Sequence, residues 1–256
     1  MSYVKSESSA GVLQITIDRP EKKNALTAEM YEALSDAVEK GEAESQVRVM
    51  LLHGAGDAFT AGNDLVDFLQ KPWQGQETPP AVRFMYAVAH AKKPVVAAVQ
   101  GMAVGIGTTI LLHCDLVYAS EDATFVMPFV NLGIVPEAGS SVLLRLLAGH
   151  QRAAELLMLC APLTAQRAYE MGLVNAVVAR DALFSTAHDA ARKLAEKPVG
   201  ALRACKELLK RGYRAELERA LREEVAIVAE RLDSPETREA LSAFVEKRKP
   251  DFSKFR

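Results

Sequence analysis

Apolar positions along the first two thirds of the chain alternate between two spacings. Val12 to Ile17 reads VLQITI, with Leu13, Ile15 and Ile17 at every second position, and Asp18-Arg19-Pro20 ends the segment, which predicts a strand. Met30, Leu34, Ala37 and Val38 then fall at helical spacing, and Thr27 is placed as N-cap of a helix over about Ala28 to Glu42. Val47 to Leu52, VRVMLL, returns to a strand, so the opening is strand, helix, strand. A helix is expected from Ala81 to Ala91, and Val95 to Val99, VVAAV, is an unbroken apolar run of the kind buried on both sheet faces. A short apolar helix over Thr108 to His113 and a strand over Leu116 to Ala119 follow. Helices are expected at Leu143 to Leu147 and Ala153 to Leu159. Leu163 to Gln166 caps another running to Met171, Gly172 stops it, and Leu173 to Val178 reads as a last strand.

Beyond Asp181 only the helical spacing remains, over Ala182–Glu196, Val199–Lys210, Ala215–Arg231 and Pro235–Lys247. In the third of these Leu217, Leu221, Val225 and Val228 form an apolar stripe expected to pack on the core or on a partner subunit. No low-complexity linker precedes this tract, so it reads as a helical extension of one domain. After the Val47–Leu52 strand, GAGDAFTAGNDLVDF is dense in glycine and small residues, and Gln70 to Pro80 reads as a mobile surface loop.

Composition narrows the classes. A chain of 256 residues with 49% hydrophobic residues can bury a large core, and a formal charge of -2 gives no nucleic-acid or polybasic membrane footprint. Cys114, Cys160 and Cys205 are odd in number and widely spaced, which predicts reduced packing residues and no disulfide or zinc motif. There is no signal-peptide core and no eighteen-residue apolar span, and the KPDFSKFR ending lacks an SKL-type signal, so a cytoplasmic address is expected.

The candidate chemistry centres on Phe125 to Ser141, FVMPFVNLGIVPEAGSS, where Glu137 stands among Leu132, Ile134, Val135 and Pro136. If the loop is buried, desolvation raises the carboxyl pKa toward the range of a general base. The other reading is that Glu137 follows Pro136 in a turn and caps the helix beginning near Ser140, with its charge in solvent. Two glycine-rich turns, Ala61-Gly62-Asn63-Asp64 and Val104-Gly105-Ile106-Gly107, precede expected helices and could present backbone N–H groups to an oxyanion, or be structural turns only. A dinucleotide fingerprint at the second turn fails at Ile110, where its third glycine would stand. No P-loop, nucleophile elbow or paired zinc ligands occur, and His53, His90, His113, His150 and His188 are scattered and read as surface or packing residues.

Together these stretches resemble the crotonase (enoyl-CoA hydratase/isomerase) superfamily over essentially the whole chain. RPEKKNAL (Arg19–Leu26) is similar to its first coenzyme A loop, GAGDAFTAGNDL (Gly54–Leu65) and QGMAVGIG (Gln100–Gly107) to its oxyanion loops, and LTAQRAYEMGLVNAVV (Leu163–Val178) to its later helix-turn-strand. The resemblance implies an α/β fold: a crotonase-like superhelical spiral of ββα turns over residues 1–180, and a helical C-terminal trimerisation region over 181–256. It implies an acyl-CoA substrate bound by a homotrimer or hexamer, with no cofactor beyond the coenzyme A of the substrate thioester, no metal, no nucleic acid and no membrane. The oxyanion donors fall on the backbone N–H of Asn63 and Ile106, and coenzyme A lies along Lys22, Lys23, Ala25, Ala61 and Asp64. The two glutamates of typical hydratases are replaced by Thr109 and Phe129. The motifs look most like peroxisomal-type Δ3,Δ2-enoyl-CoA isomerases, whose single catalytic glutamate coincides with Glu137. A hydratase, other crotonase chemistry on rings or thioesters, or a CoA-binding protein with little catalysis are the alternatives.

Overall fold

A computed structural model describes residues 3–70 and 78–255. The expected surface loop, Gln70 to Pro80, falls mostly in 71–77, outside the described residues, as does Trp73.

The strands are β1 (Val4–Ser9), β2 (Val12–Ile17), β3 (Val49–Gly54), β4 (Val95–Val99), β5 (Met102–Val104), β6 (Leu116–Ser120), β7 (Thr124–Val126), β8 (Leu163–Thr164) and β9 (Ala176–Val178). The helices are α1 (Ala28–Ala43), α2 (Leu65–Gln70), α3 (Pro80–Ala89), α4 (Ile106–Thr109), α5 (Ser140–Ala148), α6 (His150–Met158) and α7 (Ala165–Glu170). The C-terminal tract adds α8 (Arg180–Ala195), α9 (Val199–Arg211), α10 (Arg214–Leu232) and α11 (Pro235–Val245). The strands form two sheets, one of six in the order β1-β2-β3-β4-β6-β9 and one of three in the order β5-β7-β8. Apart from the antiparallel β1–β2 hairpin, the large sheet is parallel.

The spiral follows from this pairing. After each of β4 and β6 in the large sheet the chain turns at once into β5 or β7 in the small one, before a helix carries it back. The turn after β3 does the same with one residue, since Thr60 bridges Ala103 of β5.

Period-two alternation sorts the large sheet's side chains onto two buried faces. Leu13, Ile15, Ile17, Met50, Leu52, Val95, Ala97 and Val99 face one core with α1 and α3 residues, while Val12, Val49, Leu51, Val96 and Ala98 face a second. That second face is covered by Leu183, Ala187, Ala191 and Ala195, one stripe of α8. The expected apolar stripe of α10 is buried at Leu217, Leu221 and Val228 and packs against α5.

Several boundaries differ from expectation. The strand expected at Val47–Leu52 lies at Val49–Gly54, and the helix expected at Thr108 begins at Ile106 and tightens to a 3-10 turn over Ile110–His113. β1 and the small-sheet strands β5, β7 and β8 were not predicted: β1 buries only Val4, and the two or three residues of each small-sheet strand are too few to show a period. The cysteines are unpaired: Cys160 is buried, Cys114 half-buried and Cys205 exposed. No helix among the described residues is long and apolar enough to cross a membrane.

Candidate active site

The site is assembled around Thr60, the residue that joins the first loop to the small sheet. Its N–H donates to Met102 O and its carbonyl accepts from Val104 N, which draws the 61–64 loop against β5. Its hydroxyl donates to Asn24 O and accepts from Gly62 N. Gly62 has φ +80°, and a Cβ there would stand 2.6 Å from Val104 O, so only glycine lets the two loops approach this closely. The Arg19–Leu26 loop is strapped to the same region: buried Asn24 donates to Ala55 O and Ala58 O, and Leu26 N donates to Gly62 O.

Asn63 and Ile106 therefore come to one wall. Both line a cavity of about 280 Å³ together with Ala61, Phe129, Ile134 and Leu241. Among the described residues neither the Asn63 nor the Ile106 N–H finds an acceptor. Ile106 opens α4, where N–H groups have no partner inside the helix, and Gly105 before it takes φ 57° and ψ -119°, a combination open in practice only to glycine. The Asn63 side chain is held by the Tyr31 hydroxyl, which donates to its Oδ1. Burial, and secondarily the nearby Glu137, keep Tyr31 protonated well beyond the usual phenol range.

The remaining sequence-selected residues lie on the loop beside this wall. Ala25 accepts at its carbonyl from Arg19 Nη1, and the same nitrogen pairs with Asp64 Oδ2 at 2.7 Å. Asp64 also caps α2 by accepting from Val66 N and Asp67 N. Burial pushes its pKa up, but Arg19 and these amides outweigh it and hold the carboxyl below its usual range. Lys22 and Lys23 are exposed, and Lys23 pairs with Asp57 at 2.5 Å.

Glu137 is set back from the cavity wall and is 5% exposed. The reading of it as a solvent-facing helix cap is overturned: Gly139 is the N-cap of α5, and Glu137 Oε1 accepts from Thr109 Oγ1 at 3.2 Å. Thr109 Oγ1 also lies 3.4 Å from Gly105 O, so its one proton serves the Glu137 carboxyl or the Gly105 carbonyl, not both at once. Burial raises the Glu137 pKa to about 8; the Thr109 bond opposes this and the charge of Glu224 adds to it. A carboxyl in that range can both take and return a proton near neutrality. Among the described residues no group of three His, Cys, Asp or Glu side chains is placed to hold a metal ion.

The sequence pattern described as enoyl-CoA hydratase/isomerase matches residues 7–255. The chain belongs to this family. It is 35% identical to the 1,2-epoxyphenylacetyl-CoA isomerase of Escherichia coli K12, with 99% of each chain covered. It is also 35% identical to the enoyl-CoA delta isomerase 2 of Rattus norvegicus, over 95% of this chain and 63% of that protein. The solved enoyl-CoA hydratase/isomerase from Pseudoalteromonas atlantica T6c superimposes with a TM-score of 0.93 over 98% of this chain and 100% of that one, at 40% identity. The crotonase fold expected from the motifs is the fold observed.

In this crotonase-family enzyme two residues beside the site, Thr109 and Phe129, carry no acid or base. Thr109 is fully buried and bonded to Glu137, and Phe129 lines the cavity. Neither side chain can hold and deprotonate a water. Reading the sequence alone missed Tyr31, Thr60, His113 as a loop contact, and Glu224. One signal was present for the last: Glu224 stands on the apolar stripe of α10, three residues after Leu221 and four before Val228.

Proposed function

We propose that this crotonase-family enzyme converts 3-enoyl-CoA to 2-enoyl-CoA by a proton shuttle through Glu137. The observation that carries the reading is the buried Glu137 carboxyl, raised to about 8, while Thr109 and Phe129, which by resemblance stand where hydratases carry their two glutamates, have no acid or base. The thioester oxygen accepts from the Asn63 and Ile106 amides, which makes the C2 proton acidic. Glu137 removes it, the electron pair delocalises as a dienolate, and protonated Glu137 returns the proton at C4. Proton and electrons balance with no co-reactant. Coenzyme A lies along Lys22, Lys23, Ala25, Ala61 and Asp64, and the protein works in the cytoplasm as a homotrimer or hexamer. Exposed Leu208 and Leu209 on α9 supply apolar surface for that assembly, and sedimentation equilibrium tests it.

The deciding experiment supplies 3-enoyl-CoA and 2-enoyl-CoA side by side. Rapid 3-to-2 conversion lost in Glu137→Gln is expected; water addition that survives this substitution would overturn the reading. The Escherichia coli relative favours a second one, since its name records an isomerase acting on an epoxidised phenylacetyl-CoA. Turnover of that substrate without turnover of 3-enoyl-CoA would select it.

A further inference from the structure

The loop carrying Glu137 has a shape that the rest of the fold must hold. Ala138 takes φ 58° and Gly139 φ 68°, so two consecutive residues are left-handed and the first is not glycine. Side chains from distant segments grip both. His113 Nε2 donates to Ala138 O at 2.7 Å. Glu224, on α10 and 6% exposed, accepts from Gly139 N at 2.6 Å, from Ser141 N at 3.0 Å and from the Ser141 hydroxyl. Those amides belong to the first turn of α5, whose N-cap Gly139 has no side chain to satisfy them, so Glu224 caps the helix from outside. A carboxylate is costly to bury, and three donors compensate it here.

We propose that Glu224 is the positioning residue of the active site, clamping the Gly139 and Ser141 amides so that the Ala138–Gly139 turn holds the Glu137 carboxyl dry and aimed at the Asn63–Ile106 wall. The inference rests on reading Glu137 as the base. The groups facing that loop are Tyr31 from α1, Thr109 from α4, His113 from the 3-10 turn and Glu224 from α10. Arg231 reaches the earlier Gly133 carbonyl at 3.0 Å and pairs with Glu236. Tyr31 stays protonated, and burial lowers His113 to about 4, which leaves it neutral at working pH. Glu224 is thus the neighbour whose charge acts directly on Glu137, and burial holds its own pKa above the usual carboxylate range.

The test compares Glu224→Gln and Glu224→Asp with the parent enzyme in two measurements. One is the pH dependence of kcat and KM with 3-enoyl-CoA. The other is the titration of the Glu137 carboxyl by carbon-13 NMR on the free protein. Glu224→Gln removes the charge and gives one acceptor position an NH₂, so kcat should fall about 10²-fold, the scale of a misaimed catalytic group, with KM little changed. The Glu137 titration should move to lower pH, because a repelling charge is gone and water reaches the loop. Glu224→Asp keeps the charge and should retain the parent titration while recovering part of kcat. A folded Glu224→Gln protein with parent kcat and an unmoved titration overturns the proposal, even if its melting temperature has dropped. Should Glu224→Gln fail to fold, Glu224→Asp decides: reduced kcat with the titration retained supports the clamp, and parent kcat overturns it. The NMR titration needs no substrate, so a shift there alongside absent isomerase activity would refute the function reading and leave the clamp standing.

Discussion

In the proposed reaction Glu137 can serve as a base because it has lost water: burial is the largest influence on its pKa and the Thr109 hydrogen bond works against it. The base must be ionised to act. The kcat/KM for 3-enoyl-CoA should therefore rise with pH through about 8 and level off above it, a profile read from initial rates over pH 6 to 10. A flat profile across pH 8 would contradict it. Stability has the opposite sign. A carboxyl at about 8 when folded and near 4.5 when unfolded binds more protons in the folded state between those values, so the stability it confers is full below about 4.5 and is lost as pH rises through about 8. Glu137→Gln escapes that loss and should melt above the parent protein at pH 9, with the gap closing toward pH 5. What was legible at this scale was the run of apolar neighbours that buries Glu137. The partners of Glu137 and of its loop were not, because Tyr31, Thr109, His113 and Glu224 come from separate segments that only the fold brings together.

At the scale of elements, the two turns proposed to hold the oxyanion keep their shape because glycine stands where backbone meets backbone. Replacing Gly105 by alanine asks an L-residue to hold φ 57° and ψ -119°, and relaxing that turn would swing the Ile106 N–H off the cavity. The strain costs about 1–3 kcal/mol. Loss of one donor should lower kcat by about 10²- to 10³-fold, measured against Gly200→Ala, a glycine with no heavy atom near its Cβ position. Gly62→Ala should be worse for folding, because its Cβ would overlap the Val104 carbonyl, whose position is fixed by the Thr60–Ala103 bridge. The glycine turns and the long parallel strands were readable, as an unbroken run like VVAAV has no other use in so polar a surrounding. The small sheet was not, because β5, β7 and β8 have two or three residues each, fewer than a period needs. Their register is set by Thr60 and by the large sheet beside them.

The whole molecule closes on its own active site. The chain leaves the core through α8, which seals the back of the large sheet, and α10 then returns past α5 to bring α11 over the cavity. Thr237 and Leu241 of α11 and Leu232 of α10 line the cavity together with the two glycine-rich turns. Arg231 Nε donates to Gly133 O, and a Cβ on Gly133 would stand 2.7 Å from Thr237 N, so the helix end and the Glu137 loop meet backbone to backbone. The residues that line the cavity thus run from Ala61 in the first glycine-rich loop to Phe244 in α11, and in the proposed reaction the acyl group that fits depends on how α11 sits. Leu241 is 8% exposed and projects into that wall. Leu241→Ala should cost stability near the low end of the ~2–5 kcal/mol range for buried leucine, because the site is already open on one side. It should also lengthen the cavity. With a series of 3-enoyl-CoA substrates differing by one methylene, the optimum should move to a longer chain, with kcat/KM ratios changing by about tenfold, near the low end of what a methylene is worth in an apolar pocket. Glu137 and the two amides are untouched by this change, so kcat for the best substrate should hold. An unchanged chain-length profile would mean that α11 covers the site without measuring the acyl group.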